Sequence, residues 1–340
     1  MGEFDLIDRY FKAPASAMLQ ASASENGIQL GIGDDCALIQ QAPGMQLAIS
    51  SDMLVEGRHF FADVDPYKLG HKALAVNLSD LAACGAKPLA FTLALSLPKA
   101  DEAWLAPFSR GLLALAAEHN CALIGGDTTQ GPLNICITVF GEVPKNAALL
   151  RSGAQVGDDI YVSGTLGDAR LALETMRGNL TLPAEVFTAA KARLEMPTPR
   201  VALGIALRGI ASSAIDVSDG LLGDLGHILQ QSAVGAVIDT SITSNLIAMN
   251  LVAAQAMNTL AVSKFSLQNQ LECVLSGGDD YELLFTAPAD KREAVQSAST
   301  TSATKVTRIG RIEAELGLRL VDGQGQPMTN VFTSFDHFKV

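Results

Sequence analysis

The sequence predicts a protein of mixed helix and strand, α+β or α/β in class, with about two domains. Segments typical of strands and of helices alternate along its 340 residues. A linker-like stretch from Pro144 to Val156 separates two such series. We therefore expect one domain over residues 1–148 and a second over residues 149–340.

The composition narrows the range of partners and compartments. A formal net charge of -12 makes the chain a poor partner for nucleic acid or for an anionic membrane surface. No apolar run approaches the roughly 18 residues of a membrane-spanning helix, and the first residues lack the basic and then apolar order of a signal peptide. The five cysteines are scattered and form no Cys-x-x-Cys pair. Reduced thiols in a cytoplasmic protein are the expected state.

In the first domain, turn residues, helix caps and apolar spacing predict the elements. Asp65 followed by Pro66 is typical of a helix start, and this helix is expected to end at Gly85. Asn77 and Asp80 lie three residues apart on one face of the otherwise apolar helix, so that face is expected to border a polar site. The other expected elements are a loop over 13–27, a strand over Leu47–Val55 that polar residues interrupt, a helix over Asp101–Asn120, a strand over Ala122–Ile124 followed by a turn at Gly125–Asp127, and a strand over Asn134–Val143.

The second domain shows the same alternation of strand and helix. Ser218 or Asp219 is expected to cap a helix that carries Leu221 to Leu229. Residues 240–266 have no decisive pattern, and residues 297–304, rich in Ser, Thr and Ala, are expected to form a loop. The other expected elements are a strand over Ile160–Val162, a turn at Gly164–Gly167 that opens a helix through Leu173, a helix after Pro197–Pro199, and strands over Ile215–Val217 and Glu282–Phe285.

Acidic motifs at the ends of apolar segments are the main functional signal. Each motif alone is typical of a tight turn or a helix cap. Together they are harder to explain in this way, because an uncompensated carboxylate beside apolar residues is costly. Carboxylates gathered from distant segments are typical of a site for Mg²⁺, which keeps coordination positions open for water and substrate phosphates. The motifs are Gly33-Asp34-Asp35, Ser50-Ser51-Asp52, Asn77-Leu78-Ser79-Asp80, Gly125-Gly126-Asp127-Thr128-Thr129 and Asp216-Val217-Ser218-Asp219-Gly220.

The Gly-Gly-Asp motif is suited to binding a phosphate. Gly125 and Gly126 let the backbone approach phosphate oxygens closely, and Asp127 can hold a metal ion that bridges them. The sequence contains no P-loop pattern. Arg151 is a candidate phosphate partner because a guanidinium binds two oxygens at once, and His59 is a candidate substrate contact because it follows the Ser-Ser-Asp motif closely. Either residue could instead have a structural or solvated role.

Six motifs, in order along the chain, resemble those of the thiamine-monophosphate kinases, a family of the aminoimidazole ribonucleotide synthetase superfamily, and the match as a whole runs from about residue 3 to residue 338. The resemblance implies a two-domain α+β fold in which the N-terminal domain pairs with its copy in a homodimer and forms an intersubunit β-barrel. It also implies transfer of the γ-phosphoryl group of ATP to thiamine monophosphate, with several Mg²⁺ ions, to give thiamine diphosphate and ADP. The motifs are Gly31–Ala37, Asn77–Ala83, Gly125–Thr129, Arg151–Ala154, Asp216–Leu221 and Gly277–Leu283.

The resemblance further implies roles for individual residues. The implied metal ligands are Asp35, Ser50, Ser51, Asp52, Asp80, Asp127, Asp216 and Asp219, of which Asp80, Asp127 and Asp219 are expected to be catalytic. The implied ATP contacts are Gly126, Asp127, Arg151 and Ser218, and the implied contacts of the thiamine substrate are His59, Asp279 and Phe332. Ser51 stands where the family usually has threonine, Asp279 where it has glutamate, and Phe332 where relatives have tryptophan.

Three other functions stay open at this point. One is another ATP-dependent activity of the same superfamily, on a ribonucleotide amide or on selenide; the selenide reaction is expected to need an N-terminal cysteine or selenocysteine, and no cysteine precedes Cys36. A non-catalytic nucleotide- or metal-binding module would bind Mg-ATP without forming ADP. A metal-dependent phosphatase would release phosphate without ATP.

Overall fold

The computed structural model describes residues 3–22, 27–33, 35–247, 266–329 and 332. These residues form two compact units, each of helices packed with a sheet. The first unit comprises the described residues up to Leu81 together with Ala86–Ala148, and the second comprises Ala82–Gly85 and the described residues from Leu149 onward. Within the described ranges, no helix is both long enough and apolar enough to span a membrane.

The first unit is built on a four-stranded sheet with the strand order β3-β6-β4-β5. β6 pairs antiparallel with β3 and β4, while β5 runs parallel to β4. Every second residue of β6 is buried, as expected of a sheet with one face against a core. The elements of this unit are α1 Glu3–Ile7, a π-helical turn Asp8–Lys12, α2 Ala13–Ser22, β1 Ile28–Leu30, β2 Leu38–Ile39, β3 Met45–Val55, α3 Pro66–Ala83, β4 Lys87–Leu97, α4 Glu102–Glu118, β5 Ala122–Gln130 and β6 Asn134–Pro144.

The two long helices of this unit begin where the sequence predicts. The side chain of Asp65 accepts a hydrogen bond from the backbone N–H of Tyr67 at 2.8 Å and so caps α3. Asp101 caps α4 in the same way, through the N–H of Ala103 at 3.0 Å. Both predicted helices are therefore confirmed, because their start signals are local and need no tertiary context.

Two expectations for the first unit are wrong. Residues 13–22 form α2 rather than a loop, because alanine favours helix, Pro14 suits the first turn, and Leu19 packs against a small buried cluster. The polar residues after Ile49 do not interrupt the strand, since β3 is continuous from Met45 to Val55. Residues 23–26 of the expected loop lie outside the described part of the chain.

The second unit is built on a seven-stranded sheet with the strand order β13-β12-β9-β11-β7-β10-β8. Its neighbouring strands are antiparallel except for the pair β9 and β12. All residues of β7, β8 and β10 are buried, so these strands are covered on both faces. The elements are β7 Asp159–Ser163, α5 Asp168–Met176, α6 Ala184–Glu195, α7 Val201–Ala206, β8 Ser213–Val217, α8 Leu221–Ser232, β9 Gly235–Asp239, α9 Thr240–Thr243, α10 Leu267–Ser276, β10 Glu282–Ala287, a 3-10 turn Ala289–Lys291, α11 Arg292–Thr301, β11 Val306–Glu313, β12 Gly317–Val321 and β13 Pro327–Met328.

The loop expected over residues 297–304 is mostly helical. α11 continues to Thr301 and buries Val295, Ala298 and Ser299, which share one helix face by their spacing. The small polar residues concealed this pattern because alanine and serine carry little hydrophobic signal. Residues 240–243 form α9, capped by Asp239, and residues 248–265 lie outside the described ranges.

Candidate functional site

The Gly125–Asp127 segment lies in a strand, so the expectation of a turn there is wrong. β5 runs on from Ala122 to Gln130 beside β4, with a bulge that leaves Ile124 between two register positions. Gly126 has φ of +145°, and a Cβ there would overlap the backbone carbonyl of Leu93. Glycine is therefore required at 126 for β5 to pair so closely with β4.

Two of the predicted metal ligands of the first unit line one open pocket of about 150 Å³. Asp35 and Asp127 are both exposed there, and Gly126 lies in the same wall. Phe11 and Leu123 contribute apolar lining. The pocket thus places two carboxylates beside a backbone segment that carries no side chain at 126, although residues 35 and 127 lie far apart in the sequence. Asp34 of the same motif lies outside the described residues.

A second polar cluster joins β3 to α3. Ser50 Oγ donates a hydrogen bond to Asp80 Oδ2, and the backbone N–H of Asp52 donates to Asn77 Oδ1 at 3.0 Å. The face of α3 that carries Asn77 and Asp80 therefore borders β3, as the spacing of the two residues indicates. Ser51 points to the opposite face of the strand, where its Oγ donates to the carbonyl of Ile137 at 3.1 Å.

His59 lies in the tight turn that follows β3. Its Nδ1 accepts a hydrogen bond from the backbone N–H of Val55 at 3.0 Å. An accepting Nδ1 carries no proton, so this arrangement favours the neutral tautomer protonated at Nε2. The ring is partly exposed, and Nε2–H is the atom it can offer as a donor.

In the second unit, Asp216 is buried near the end of β8, and the loop that follows leads into α8. The expected side-chain cap by Ser218 or Asp219 is wrong, because the N-cap residue is Gly220 and no side chain caps the helix from outside. Instead Asp224 Oδ2, in the first turn of α8, accepts hydrogen bonds from the backbone N–H groups of Ser218, Asp219 and Gly220 at 3.1, 3.2 and 3.2 Å.

The sequence analysis did not single out Asp224. The sequence signal that could have found it is an aspartate among leucines in the first turn of an apolar helix. In the fold, Asp224 is only 2% exposed. Burial raises the pKa of its carboxyl to about 7, and the neighbouring charge of Asp219 adds to that shift. The hydrogen bonds from the three N–H groups act in the opposite direction and lower the pKa of Asp224.

The loop Gly277–Tyr281 lies directly against the Val217–Gly220 loop. The N–H of Asp279 donates to the carbonyl of Ser218 at 2.9 Å, and the N–H of Tyr281 donates to the carbonyl of Val217 at 2.8 Å. A Cβ at Gly278 would overlap the carbonyl oxygen of Ser218. The structure therefore brings Asp279 next to Ser218 and Asp219, which the sequence could not show.

Asp279 and Tyr281 both adopt a left-handed backbone conformation, with φ of 66° and 51°. Such a conformation is rare for residues other than glycine and costs about 1–3 kcal/mol at each residue. Strain of this kind persists only where neighbouring contacts enforce it, and here the backbone hydrogen bonds to β8 and its loop do so. The strained pair marks this loop as a functional candidate.

A buried ionic cluster holds the base of the same loop. Glu282 is fully buried and accepts hydrogen bonds from Arg193 at 2.7 Å, from Arg200 at 2.6 and 2.5 Å, and from Ser163 at 2.5 Å. Removing one partner from such a cluster leaves an uncompensated buried charge, which is strongly destabilising. Sequence reasoning missed this cluster because its members are distant in the chain, and the partners Ser163, Arg193 and Arg200 lie outside the motif that contains Glu282.

Asp280 is 1% exposed, and one of its oxygens accepts a hydrogen bond from the N–H of Gly167 at 2.7 Å. Its other oxygen has no hydrogen-bond partner among the described residues. Burial raises the pKa of Asp280 well above the ordinary value of an aspartate, and the charges of Asp168 and Glu282 raise it further. The fold therefore favours the protonated carboxyl more strongly than the unfolded chain does.

Arg151 and Phe332 lie in other parts of the second unit. The carbonyl of Arg151 accepts a hydrogen bond from Ser232 Oγ at 3.4 Å, at the end of α8 opposite Ser218. A helix of this length spans about 18 Å, so the Arg151 backbone is well separated from the Ser218 loop. Phe332 is partly buried and packs against the main core of the unit.

The described residues contain no group of three or more His, Cys, Asp or Glu side chains arranged to hold a metal ion. The predicted ligands of the first unit occur instead as small clusters, Asp35 with Asp127 and Ser50 with Asp80. All five cysteines are free thiols, and burial raises the pKa of Cys273 to about 12. That thiol is therefore protonated and a poor nucleophile at neutral pH.

Comparison with known proteins places both units in one class. Residues 33–143 match the N-terminal domain of AIR synthase related proteins, and residues 155–323 match the C-terminal domain. The fold and its acidic loops thus define a two-domain protein of the AIR synthase type.

Comparison with individual relatives identifies the family within this class. The thiamine-monophosphate kinase of Salmonella typhimurium is 44% identical over 339 residues, covering 99% of this chain and 98% of its own. The crystal structure of thiamine-monophosphate kinase from Stenotrophomonas maltophilia is 43% identical, covers 96% of this chain and 98% of its own, and has a TM-score of 0.81. AaThiL complexed with AMPPCP and TMP is 27% identical, with coverages of 99% and 97% and a TM-score of 0.71. The chain belongs to the thiamine-monophosphate kinase family and is a kinase, as the resemblance in its motifs predicts.

The close pairing of β4 and β5 predicts that alanine destabilises the fold at one of two neighbouring glycines and is tolerated at the other. Gly126→Ala is expected to lower the free energy of unfolding by about 1–3 kcal/mol, because it adds a Cβ at positive φ against the Leu93 carbonyl. Gly125→Ala is the matched control, since its Cβ would lie 3.7 Å from Thr92 Cγ2, an ordinary contact. Denaturant unfolding of both variants measures the difference, and equal losses would contradict the strained role of residue 126.

The raised pKa of Asp280 predicts a pH dependence of stability. Because the folded state favours the protonated carboxyl, the stability that this group contributes is present below the unfolded-state pKa of about 4 and declines as the pH rises toward the folded-state value. Asp280→Asn keeps an acceptor for Gly167 but cannot ionise. The free energy of unfolding of this variant, relative to the parent, is expected to be higher at about pH 8 than at about pH 5. Urea unfolding at both pH values tests this, and an unchanged difference would argue against it.

Proposed function

We propose that the protein transfers the γ-phosphoryl group of ATP to thiamine monophosphate, directly and in line, with the help of several Mg²⁺ ions. Its full-length likeness to thiamine-monophosphate kinases supports the reaction, as does the related AaThiL complex with AMPPCP and TMP. The observation that carries the proposal is the pocket that Asp35, Gly126 and Asp127 line together. It offers cation ligands and close access for a phosphate in one place.

The donor set fits Mg²⁺ that arrives with a nucleotide. Mg²⁺ is usually bound through one or two carboxylates plus substrate phosphates, rather than by a cage made only of protein. Carboxylates in small clusters match this requirement, and so does the lack of a larger cluster in the described residues. Of the two serines on β3 that are proposed as ligands, Ser50 bonds to Asp80, and Ser51 faces the opposite side of the strand. The proposed ligands are Asp35, Ser50, Ser51, Asp52, Asp80, Asp127, Asp216 and Asp219.

The reaction requires the protein mainly to align the two substrates and to compensate the negative charges of their phosphates. The acceptor is already a phosphate whose oxygen is anionic near neutral pH, so no strong general base is needed. The difficulty is repulsion, since two unit charges about 4 Å apart repel by roughly 4 kcal/mol at an effective dielectric of 20. When bound, Mg²⁺ supplies bridging between phosphates and neutralises charge on the transferred group. The side chains then hold donor and acceptor in line.

The remaining proposed residues bind the two substrates. Gly126, Asp127, Arg151 and Ser218 are proposed to contact ATP, and His59, Asp279 and Phe332 to contact thiamine monophosphate. His59 can donate from Nε2–H to a substrate oxygen, because its Nδ1 is already bonded to the backbone. Arg151 and Ser218 are separated by the length of α8, so they are expected to contact different parts of the nucleotide.

The reaction and its metal ligands can be tested together. Incubation with Mg-ATP labelled in the γ-phosphate and thiamine monophosphate is expected to give labelled thiamine diphosphate, and no labelled protein after acid or alkaline quenching. Asp80→Ala and Asp127→Ala are each expected to lower turnover by at least about 100-fold without unfolding the chain. Asp63→Ala, which changes an exposed carboxylate of the same unit outside the proposed site, is the control.

The outcomes separate the competing functions. ATP binding without any ADP would indicate a binding module, and phosphate release without ATP would indicate a phosphatase. A labelled residue in the protein would contradict direct transfer. Near-normal turnover of either alanine variant at saturating Mg²⁺ would remove that residue from the proposed site.

We also propose that the first unit forms a homodimer through β3, giving the intersubunit β-barrel that the resemblance implies. β3 is an edge strand of 11 residues in the four-stranded sheet. Its outward face carries Leu47, Ile49 and Met53, which are 42%, 59% and 51% exposed. A long apolar edge strand is a ready surface for pairing with another chain, and a second copy of the strand would cover it.

The dimer makes a specific mutational prediction. Ile49→Glu is expected to shift the protein from dimer to monomer, because it places a charge in the centre of the apolar stripe. Leu316→Glu is the control, since Leu316 is 69% exposed but lies in the second unit. Light scattering after size-exclusion chromatography gives the mass, and circular dichroism checks that both variants are folded. A monomeric parent, or a folded dimeric Ile49→Glu variant, would refute pairing through β3.

A further inference from the structure

Three backbone N–H groups of the loop that leads into α8 are bonded inside the protein. Backbone N–H groups that point out of such a loop commonly bind phosphate or another anion. Here the N–H groups of Ser218, Asp219 and Gly220 converge on one oxygen of Asp224, at 3.1, 3.2 and 3.2 Å. Asp224 is only 2% exposed, so the acceptor belongs to the interior. The donors are therefore already used inside the protein.

The backbone acceptors of the same loop are also in use. The carbonyl of Val217 accepts from the N–H of Tyr281 at 2.8 Å, and that of Ser218 accepts from the N–H of Asp279 at 2.9 Å. Glycine at 278 allows this approach, because a Cβ there would overlap the Ser218 carbonyl. With donors bonded to Asp224 and these carbonyls bonded to the second loop, what the loop presents to a ligand is mainly the side chains of Ser218 and Asp219.

We propose that Asp224 is a positioning residue that makes this loop bind a cation rather than a phosphate. By taking the three N–H groups inward, it leaves the carboxylate of Asp219 and the hydroxyl of Ser218 as the ligands that the loop itself offers. The inference rests on the proposed function, in which Asp216 and Asp219 hold Mg²⁺. It adds that the affinity of this loop for the cation depends on a side chain that touches neither metal nor substrate.

The geometry predicts which substitutions preserve this role. A single oxygen of Asp224 accepts all three hydrogen bonds, so the amide oxygen of asparagine can replace it. Asp224→Asn is therefore expected to keep the loop in place, whereas Asp224→Ala leaves three N–H groups without their acceptor. Asp322 provides a matched control, because its Oδ1 accepts from the backbone N–H groups of Gln324 and Gln326 at 2.9 and 2.8 Å. That turn lies at the opposite edge of the seven-stranded sheet from β8.

The test measures the divalent cation directly and through turnover. Mn²⁺ binding to the full-length protein with AMPPCP is followed by the loss of the free Mn²⁺ signal in electron paramagnetic resonance. Asp224→Ala is expected to weaken Mn²⁺ binding by about 10–100-fold, the usual effect of losing a group that orients metal ligands. The Mg²⁺ concentration for half-maximal thiamine diphosphate formation is expected to rise similarly, with KM for thiamine monophosphate within about twofold of the parent. Asp224→Asn and Asp322→Ala are expected to stay within about threefold of the parent in both measurements.

Each outcome either supports or contradicts the proposed role of Asp224 in cation binding. A folded Asp224→Ala variant with unchanged Mn²⁺ binding overturns the proposal. The proposal is also overturned if KM for ATP, KM for thiamine monophosphate and turnover worsen equally while the Mg²⁺ requirement stays unchanged. If Asp224→Ala does not fold, Asp224→Asn decides: parent-like Mn²⁺ binding supports the proposal, and a folded variant with weakened binding overturns it. A parent that binds Mn²⁺ and AMPPCP but forms no thiamine diphosphate contradicts the proposed function, while the comparison of Mn²⁺ affinities still tests the role of Asp224.

Discussion

Carboxylates next to apolar strands must be compensated, and this constraint organises both units. An uncompensated buried charge costs several kcal/mol or more, so several acidic residues at the candidate site are bonded to protein donors. Ser50 donates to Asp80, three backbone N–H groups donate to Asp224, and two arginines bind Glu282. Asp280, one oxygen of which has no hydrogen-bond partner among the described residues, has a pKa raised by burial, which favours the neutral form. Asp127 is exposed in the pocket of the first unit, where a cation can reach it.

This arrangement explains how a chain with a net charge of -12 can handle anionic substrates. Some of the acidic residues are proposed to bind cations, and others are neutralised by protein donors; Asp80 belongs to both groups, because Ser50 donates to it. Asp219 illustrates the first kind and Asp224 the second, although they lie only five residues apart and their charges interact. The inner carboxylate fixes the loop, so the outer one does not have to serve as a helix cap.

Glycines make these close approaches possible in both units. Gly126 allows β5 to lie against the Leu93 carbonyl, and Gly278 allows the Asp279 loop to lie against the Ser218 carbonyl. In each case two backbone segments lie closer together than a side chain at the glycine position would permit. An acidic residue follows the glycine directly in the chain. The glycine sets the position of the strand or loop, and that in turn sets where the next carboxylate points.

The sequence by itself determined the helices with local caps, α3 and α4, the acidic motifs and the family, because caps and motifs lie within a few residues of one another. It failed for α2 and α11, where small residues hide the apolar face, and for Gly125–Asp127, because adjacent glycines suit a turn and a bulged strand equally well. Only the tertiary structure decided that Asp35 and Asp127 line one pocket, that the backbone of Asp279 bonds to that of Ser218, and that Glu282 binds Arg193 and Arg200. These arrangements join residues far apart in the chain, and they depend on strand register and burial, which no local pattern encodes.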